Sequence, residues 1–196
     1  MPAKGKAKIL TRFYQHGTEY KIGDTAFINP DQPCAPPFIG KIKQIMQRSA
    51  SDIDEVELTV AWYYRPEEAI GGRKAFHGHK ELFTSDHEDV IHKNTILGKC
   101  NVHTLRNYES LQRISDNDYF ARFSYKPASK EFEPDRVPVY CTCELPYNPD
   151  LPMIMCDQCE EWYHLKCLED RNNKVELQQS FCCDQCKAKA KKARVE

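Results

Sequence analysis

The sequence predicts a mainly β protein that ends in a small module folded around metal ions. Three observations carry this. Apolar and polar residues alternate in several short segments, the period-two pattern of half-buried strands. Pro, Gly, Asn and Asp separate those segments and mark turns. Eight of the ten cysteines fall after residue 140, in closely spaced pairs, while Cys34 and Cys100 stand apart.

Residues 1–19 read as a basic N-terminal arm, with Lys4, Lys6, Lys8 and Arg12 and no acid among the first 12 positions. Such runs are solvated ends in the plain reading, and a nuclear-import signal or a weak DNA contact in the sharper one. Residues 20–137 carry the strand signals: DTAFIN, FIGKIKQIM, EVELTVAWYY, KELFTS and, later, DYFARFSY. Between the first two, Pro30, Pro33, Pro36 and Pro37 exclude regular helix or central strand and require a loop. Alternation is clearest in the third segment. There Val56, Leu58, Val60, Trp62 and Tyr64 share one face, so on pattern alone the two aromatic residues belong to the core. Gly71 and Gly72 read as a turn, and the residues around Glu109 and Leu111 as a short helical turn. The stretch KPASKEFEPDRVP is a junction, after which residues 138–188 form the cysteine module and residues 189–196 a basic tail.

Composition narrows the classes. At 196 residues, with 40% apolar and 29% charged, the chain can build one ordinary domain and a small one. No apolar run approaches the ~20 residues of a membrane span, and the start MPAKGKAKIL lacks the hydrophobic stretch of a signal peptide. An intracellular, reducing environment is expected, where clustered cysteines are metal ligands more often than disulfides. A formal net charge of -1 excludes a strongly basic nucleic-acid binder. From Pro138 to Cys186, however, nine acids face three bases, so that module attracts basic partners.

The potential ligands run Cys141-x-Cys143, twelve residues, Cys156-x-x-Cys159, four residues, His164-x-x-Cys167, fifteen residues, Cys183-x-x-Cys186. Eight donors make two four-coordinate sites. Thiolate and imidazole donors suit zinc, and closed sites without a water position are structural, so the expected cofactors are two structural zinc ions. A module this small gains its folding energy from the metal, on the order of 10 kcal/mol per site.

This ligand order, with a histidine fifth and Trp162 two residues before it, resembles a plant homeodomain (PHD) finger; a RING finger places its histidine differently. The resemblance implies cross-braced pairing. Cys141, Cys143, His164 and Cys167 would hold one zinc, and Cys156, Cys159, Cys183 and Cys186 the other, leaving Cys182 spare. It further implies that Tyr140, Tyr147, Met153 and Trp162 form an aromatic cage for trimethylated lysine 4 of histone H3, by cation–π attraction. Asp157 would contact the arginine of the tail. Leu151 to Met155 would be the edge strand to which the tail adds, with Pro152 limiting its ladder.

Residues 20–137 resemble a bromo-adjacent homology (BAH) domain, a twisted, partly barrel-like β fold with short helices. The likeness is closest in WYYRPEEAIGGRKAFHGHKELFTSDHEDV and ILGKCNVH. A BAH domain followed directly by a PHD finger is similar to the plant BAH–PHD chromatin reader family of Early Bolting in Short Days and Short Life. That family implies a second cage, for trimethylated lysine 27, on Phe38, Trp62 and Tyr64, with His87 and Asp89 as polar peptide contacts. Phenylalanine stands at 38 where tyrosine is expected.

The expected function is a nuclear, non-enzymatic reader of methylated histone H3 tails on the nucleosome that regulates transcription. Two competitors stand beside it: a ubiquitin ligase built on a cross-braced zinc module, and a DNA-binding accessory protein using the basic ends. No nucleophile–base pairing and no Gly-rich phosphate loop invites an enzymatic reading, and no membrane partner is expected.

Overall fold

The computed structural model describes residues 7–30, 32–49, 54–169 and 180–192. They form two compact units. The first takes the described residues up to Lys74 together with Lys80–Asp135; the second takes Ala75–His79 together with those from Arg136 onward.

The first unit contains β1 (Lys8–Leu10), β2 (Arg12–Gln15), β3 (Thr18–Lys21), β4 (Thr25–Ile28), β5 (Phe38–Gln47), β6 (Val56–Tyr64), β7 (Glu81–His92), β8 (Ile96–Thr104), α1 (Leu105–Glu109), β9 (Asp118–Lys126) and β10 (Glu131–Glu133). Its main sheet runs β1, β5, β4, β8, β9, β7, β6, and β6 pairs again with β5. Strands β5, β4, β8, β9, β7 and β6 therefore close on themselves as a barrel, which removes free edges. β9 lies parallel to both β7 and β8; the other ladders are antiparallel.

The five segments with strand alternation become β4, β5, β6, the first half of β7, and β9. Val56, Leu58 and Val60 of β6 are buried with Ala26, Ile28, Ile42, Ile45 and Ile96 in one core, each such side chain contributing ~1.5–3 kcal/mol.

Three segments depart from expectation. From Lys8 onward the basic arm is strand. β2 and β3 form a hairpin turned by His16 and Gly17, at φ 50° and 75°, as a tight two-residue turn requires. Phe13 stacks on Tyr20 across it at 5.1 Å. The lysines conceal Leu10 and Phe13, the side chains that tie the segment to the core. β8 and the second half of β7 also escape pattern reading. Both alternate poorly, because β8 puts Leu97 on its exposed face and Gly98 on its inner one, and β7 turns polar from Thr84 to Asp89.

A buried charge completes the barrel. Glu81 is 1% exposed, and Arg122 of neighbouring β9 holds its carboxylate with two bonds, of 2.8 and 3.2 Å.

The second unit contains β11 (Val139–Tyr140), β12 (Leu145–Pro146), β13 (Met153–Met155), β14 (Trp162–His164), α2 (Leu165–Glu169) and α3 (Asp184–Lys192). Among the described residues its core gathers Cys156, Tyr163, Leu168, Phe181 and Cys183, with Cys141, Ile154 and Cys186 packed against them. Asn148, 5% exposed, donates to the carbonyl of Ala75 at 2.9 Å, and Asp150 accepts from the His79 amide at 2.5 Å. Sequence continuity alone would assign that pentapeptide to the first unit. Helix α3 extends through Lys192, so the start of the expected solvated tail is helical; residues 193–196 lie outside the described residues.

Candidate binding pocket and metal centres

Trp62 and Tyr64 are only half-buried, Trp62 packing on the margin of the core, because the β6–β7 ladder slips beside them. Ala61 pairs with Glu88 and Tyr63 with Thr84, so β7 spends three residues, Ser85 to His87, where β6 spends Trp62 alone. Such a bulge bends the strand and re-aims its side chains. The Ser85 hydroxyl donates to the Trp62 carbonyl at 2.7 Å and accepts from the His87 amide at 3.2 Å, fixing the bulge. Across β5, Gly40 lies opposite Trp62 and leaves room for the indole.

The result is a pocket of about 260 Å³ that gathers Phe38, Trp62, Tyr64, His87 and Asp89, with Tyr63 and Glu68 completing its wall. Phe38 meets Trp62 edge-on at 5.7 Å, and Tyr64 meets Tyr125 likewise at 5.5 Å. A hydrogen-bonded chain locks the ring planes. The indole Nε1 donates to Asp89 Oδ2 at 2.8 Å, the same oxygen lies 3.2 Å from His87 Nε2, and Tyr64 Oη lies 2.7 Å from His87 Nδ1. With the proton on Nε2, the imidazole donates to Asp89 and accepts from the tyrosine, which satisfies all four groups. Burial pushes the Tyr63 phenol up to about 12. Glu68 and Tyr63 carry no sequence signal for this site. Glu68 faces it because a 3₁₀ turn at Pro66–Glu68 follows β6, capped by the Glu68 carboxylate on the Arg65 amide at 2.6 Å.

In the second unit two donor sets assemble. Cys141, Cys143, His164 and Cys167 form one, and Cys156, Cys159, Cys183 and Cys186 the other, each with its donor atoms within 4.8 Å of one another. Cys182 belongs to neither set, and its thiol lies 3.8 Å from the Cys183 carbonyl. Four thiolates at ~2.3 Å from one tetrahedral ion stand ~3.8 Å apart, and Cys159 Sγ lies 3.8 Å from Cys183 Sγ. His164 presents Nδ1, 3.3 Å from Cys143 Sγ.

Local backbone makes these sets. Cys141 takes a left-handed φ of 63° and Glu160 one of 58°, and the Glu144 and Glu160 amides fold back onto the carbonyls of Cys141 and Cys156. Burial opposes ionisation of Cys141 and Cys156, yet the amides aimed at their sulfurs hold both thiols near about 6. Cys167 goes the other way, to about 12, through burial and the neighbouring Cys141. Three thiols beside an imidazole, or four thiols, ionise together only around a cation, so the donor chemistry fits a dication at each set.

Comparison with known proteins agrees with this architecture. Residues 18–136 match the BAH domain family, and residues 137–193 match the UBR7-like PHD finger. The chain is 44% identical over 166 residues to the Chromatin remodeling protein EBS of Arabidopsis thaliana, covering 85% of this chain and 70% of that one. It is 40% identical over 164 residues to the Chromatin remodeling protein SHL of the same plant, covering 84% and 71%. This chain belongs to the plant BAH–PHD chromatin reader family. The yeast Rsc2 BAH domain shares its barrel fold, with a TM-score of 0.50 and 20% identity over 63% of this chain and 53% of that one.

In this BAH–PHD chain the second set of aromatic residues is spread over two small ladders. β13 and β14 put Met155 directly across from Trp162 and Met153 across from His164, all four on one face, while Ile154 and Tyr163 turn to the core. Trp162 is 43% exposed and Met155 40%. Tyr140 lies in β11 opposite Leu145, and Tyr147 follows β12. The expected cage residue was Met153, whereas Met155 is the methionine directly opposite Trp162 and exposed beside it. The outer edge of β13 pairs with no strand among the described residues. Asp157 is exposed, its amide bound to the Phe181 carbonyl at 2.9 Å.

Proposed function

We propose that the chain is a nuclear reader that binds two trimethyl-lysine marks of the histone H3 tail, one per unit, on the nucleosome. The pocket of Phe38, Trp62 and Tyr64 takes trimethylated lysine 27. The finger, folded around two structural zinc ions, takes trimethylated lysine 4 on Tyr140, Tyr147, Met153 and Trp162.

The observation that carries this reading is the aromatic pocket walled by Glu68 and Asp89 and locked by the Trp62–Asp89–His87–Tyr64 chain. A trimethylammonium group has no hydrogen to donate, so it is held by π faces and nearby negative charge, ~0.5–2 kcal/mol per favourable ring. Rings already fixed lose little entropy on binding. Phe38 supplies a face without a hydroxyl, so selectivity for the methylated cation rests on Trp62, Tyr64 and the two acids. His87 and Asp89 stand at the rim for the peptide backbone.

In the finger, the free edge of β13 suits addition of the tail as a third strand, and Pro152 confines the new ladder to Met153–Met155. Asp157 would meet the arginine near the start of the tail. The role in this reading is recognition that regulates transcription.

The test is a swap of lesions measured by calorimetry on the intact chain. Trp62→Ala removes binding of the lysine 27 peptide and leaves the lysine 4 peptide unchanged; Trp162→Ala does the reverse. Either variant binding both peptides as the wild type does would refute the assignment for its unit.

A further inference from the structure

The barrel wall that presents Trp62 on one face carries a different site on the other. Successive strand residues point to opposite faces, so Lys41 and Tyr63 alternate with Gly40 and Trp62, and Tyr63 stands in the wall shared by the aromatic pocket and a second hollow. Ladder partners tie that reverse face together: Thr25 pairs with Lys41 on one side and with Cys100 on the other. There a hollow of about 310 Å³ is lined by Lys41, Tyr63, Asp24, Lys99, Asn101 and His103, among others.

Several of its polar groups are held in place. Asp24 Oδ2 accepts from Lys99 at 2.7 Å and from the Lys21 amide at 2.9 Å, which fixes the Lys99 ammonium at the wall. His103 is held by Asp118 at 3.1 Å and Asn101 by the same carboxylate at 2.9 Å. Lys41 has no ion-pair partner and the Tyr63 hydroxyl no hydrogen-bond partner among the described residues. Two ammonium groups outnumber the single carboxylate of the lining, and ammoniums act as point charges that fit a tetrahedral oxyanion without a planar fork.

We propose that this hollow binds a backbone phosphate of nucleic acid, with Lys41 and Lys99 as the cations and the Tyr63 hydroxyl as a donor. Histone tails are basic and are repelled here, whereas a protein working on chromatin meets DNA phosphate on every nucleosome. The site is distinct from the basic ends of the chain, and it does not depend on the methyl-lysine reading.

Anisotropy of a labelled short duplex of arbitrary sequence, titrated with the intact chain over a salt series, tests it. Lys41→Glu is expected to weaken duplex binding by about tenfold at low salt and to lower the log–log salt slope by about one. Tyr63→Phe, which keeps the ring, loses about threefold on the duplex. Lys41→Glu leaves lysine 27 peptide affinity at the wild-type value, so failure of the peptide reading and failure of this one are told apart. If circular dichroism shows that Lys41→Glu is misfolded, Lys41→Gln gives the same direction with a smaller loss. Wild-type affinity and slope in a folded Lys41 variant would overturn the proposal. So would a phosphoserine peptide that binds through Lys41 while the duplex does not.

Discussion

Gly40 stands directly opposite Trp62 in the β5–β6 ladder, and a Cβ built on it would lie 3.6 Å from the indole Cε3. The same Cβ would meet Val60 Cβ at 3.3 Å and Ile28 Cδ1 at 2.7 Å. The Ile28 methyl ends a flexible side chain, but Val60 Cβ sits on the backbone. Gly40→Ala should therefore cost ~1–3 kcal/mol by overpacking and tilt the indole out of the pocket. Urea denaturation reads the first effect and peptide calorimetry the second. Unchanged stability together with unchanged affinity would show that the glycine is incidental.

Asp89 is exposed, yet it fixes both Trp62 and His87. Asp89→Ala should weaken the lysine 27 peptide roughly tenfold, the value of a charge-assisted hydrogen bond, while stability changes by less than ~0.5 kcal/mol, as for other surface sites. A large loss of stability in thermal unfolding would mean that Asp89 supports the fold instead.

The core of the finger is small among its described residues, so its fold should depend on metal. Elemental analysis should find two zinc ions per chain, one after Cys143→Ser, and two after Cys182→Ser. A chelator should abolish lysine 4 peptide binding and leave the β signal of the barrel in circular dichroism. Retention of a folded finger by the metal-free chain would contradict the stapled design.

Asp118 is 7% exposed and accepts from the Ser115 hydroxyl and amide at 2.7 and 2.9 Å and from Asn101 at 2.9 Å, with His103 at 3.1 Å. The Ser115 hydroxyl first, then His103, holds its carboxyl well below the usual range. A carboxyl lowered by folding contributes stability above its unfolded value of ~3.9, and that contribution is lost as pH falls below it toward the folded value. Asp118→Asn should lower stability at pH 7 by ~1–3 kcal/mol and flatten the acid limb of a stability–pH curve. An acid limb of wild-type steepness in the variant would assign acid sensitivity to other groups.

The two donor sets were legible because donor type and spacing are local properties. A Cys-x-x-Cys pair places two thiols within reach of one ion whatever lies around it, and the histidine's place in the series specifies the finger type. Strand existence was legible for the same reason, since Val56, Leu58 and Val60 alternate within a few residues. The β2–β3 hairpin was hidden by the basic run that leads into it, and β8 by Leu97 on its exposed face and Gly98 on its inner one.

The pocket was different. By itself the sequence determined the ligand series, the strands of the barrel and the aromatic inventory. Period two alone assigned Trp62 and Tyr64 to the core, because they continue the face of Val60. The likeness to the family placed them in a cage, and only the tertiary structure supplies the physical reason: the three-residue bulge at Ser85 to His87 and the bare Cα of Gly40 open a hollow where that face would have closed. His87 and Asp89 reach the rings only through the register of β7 on β6, and Glu68 only through the turn after β6. A one-residue slip in either ladder would turn every one of these side chains to the other face, so long-range pairing, not composition, makes the site.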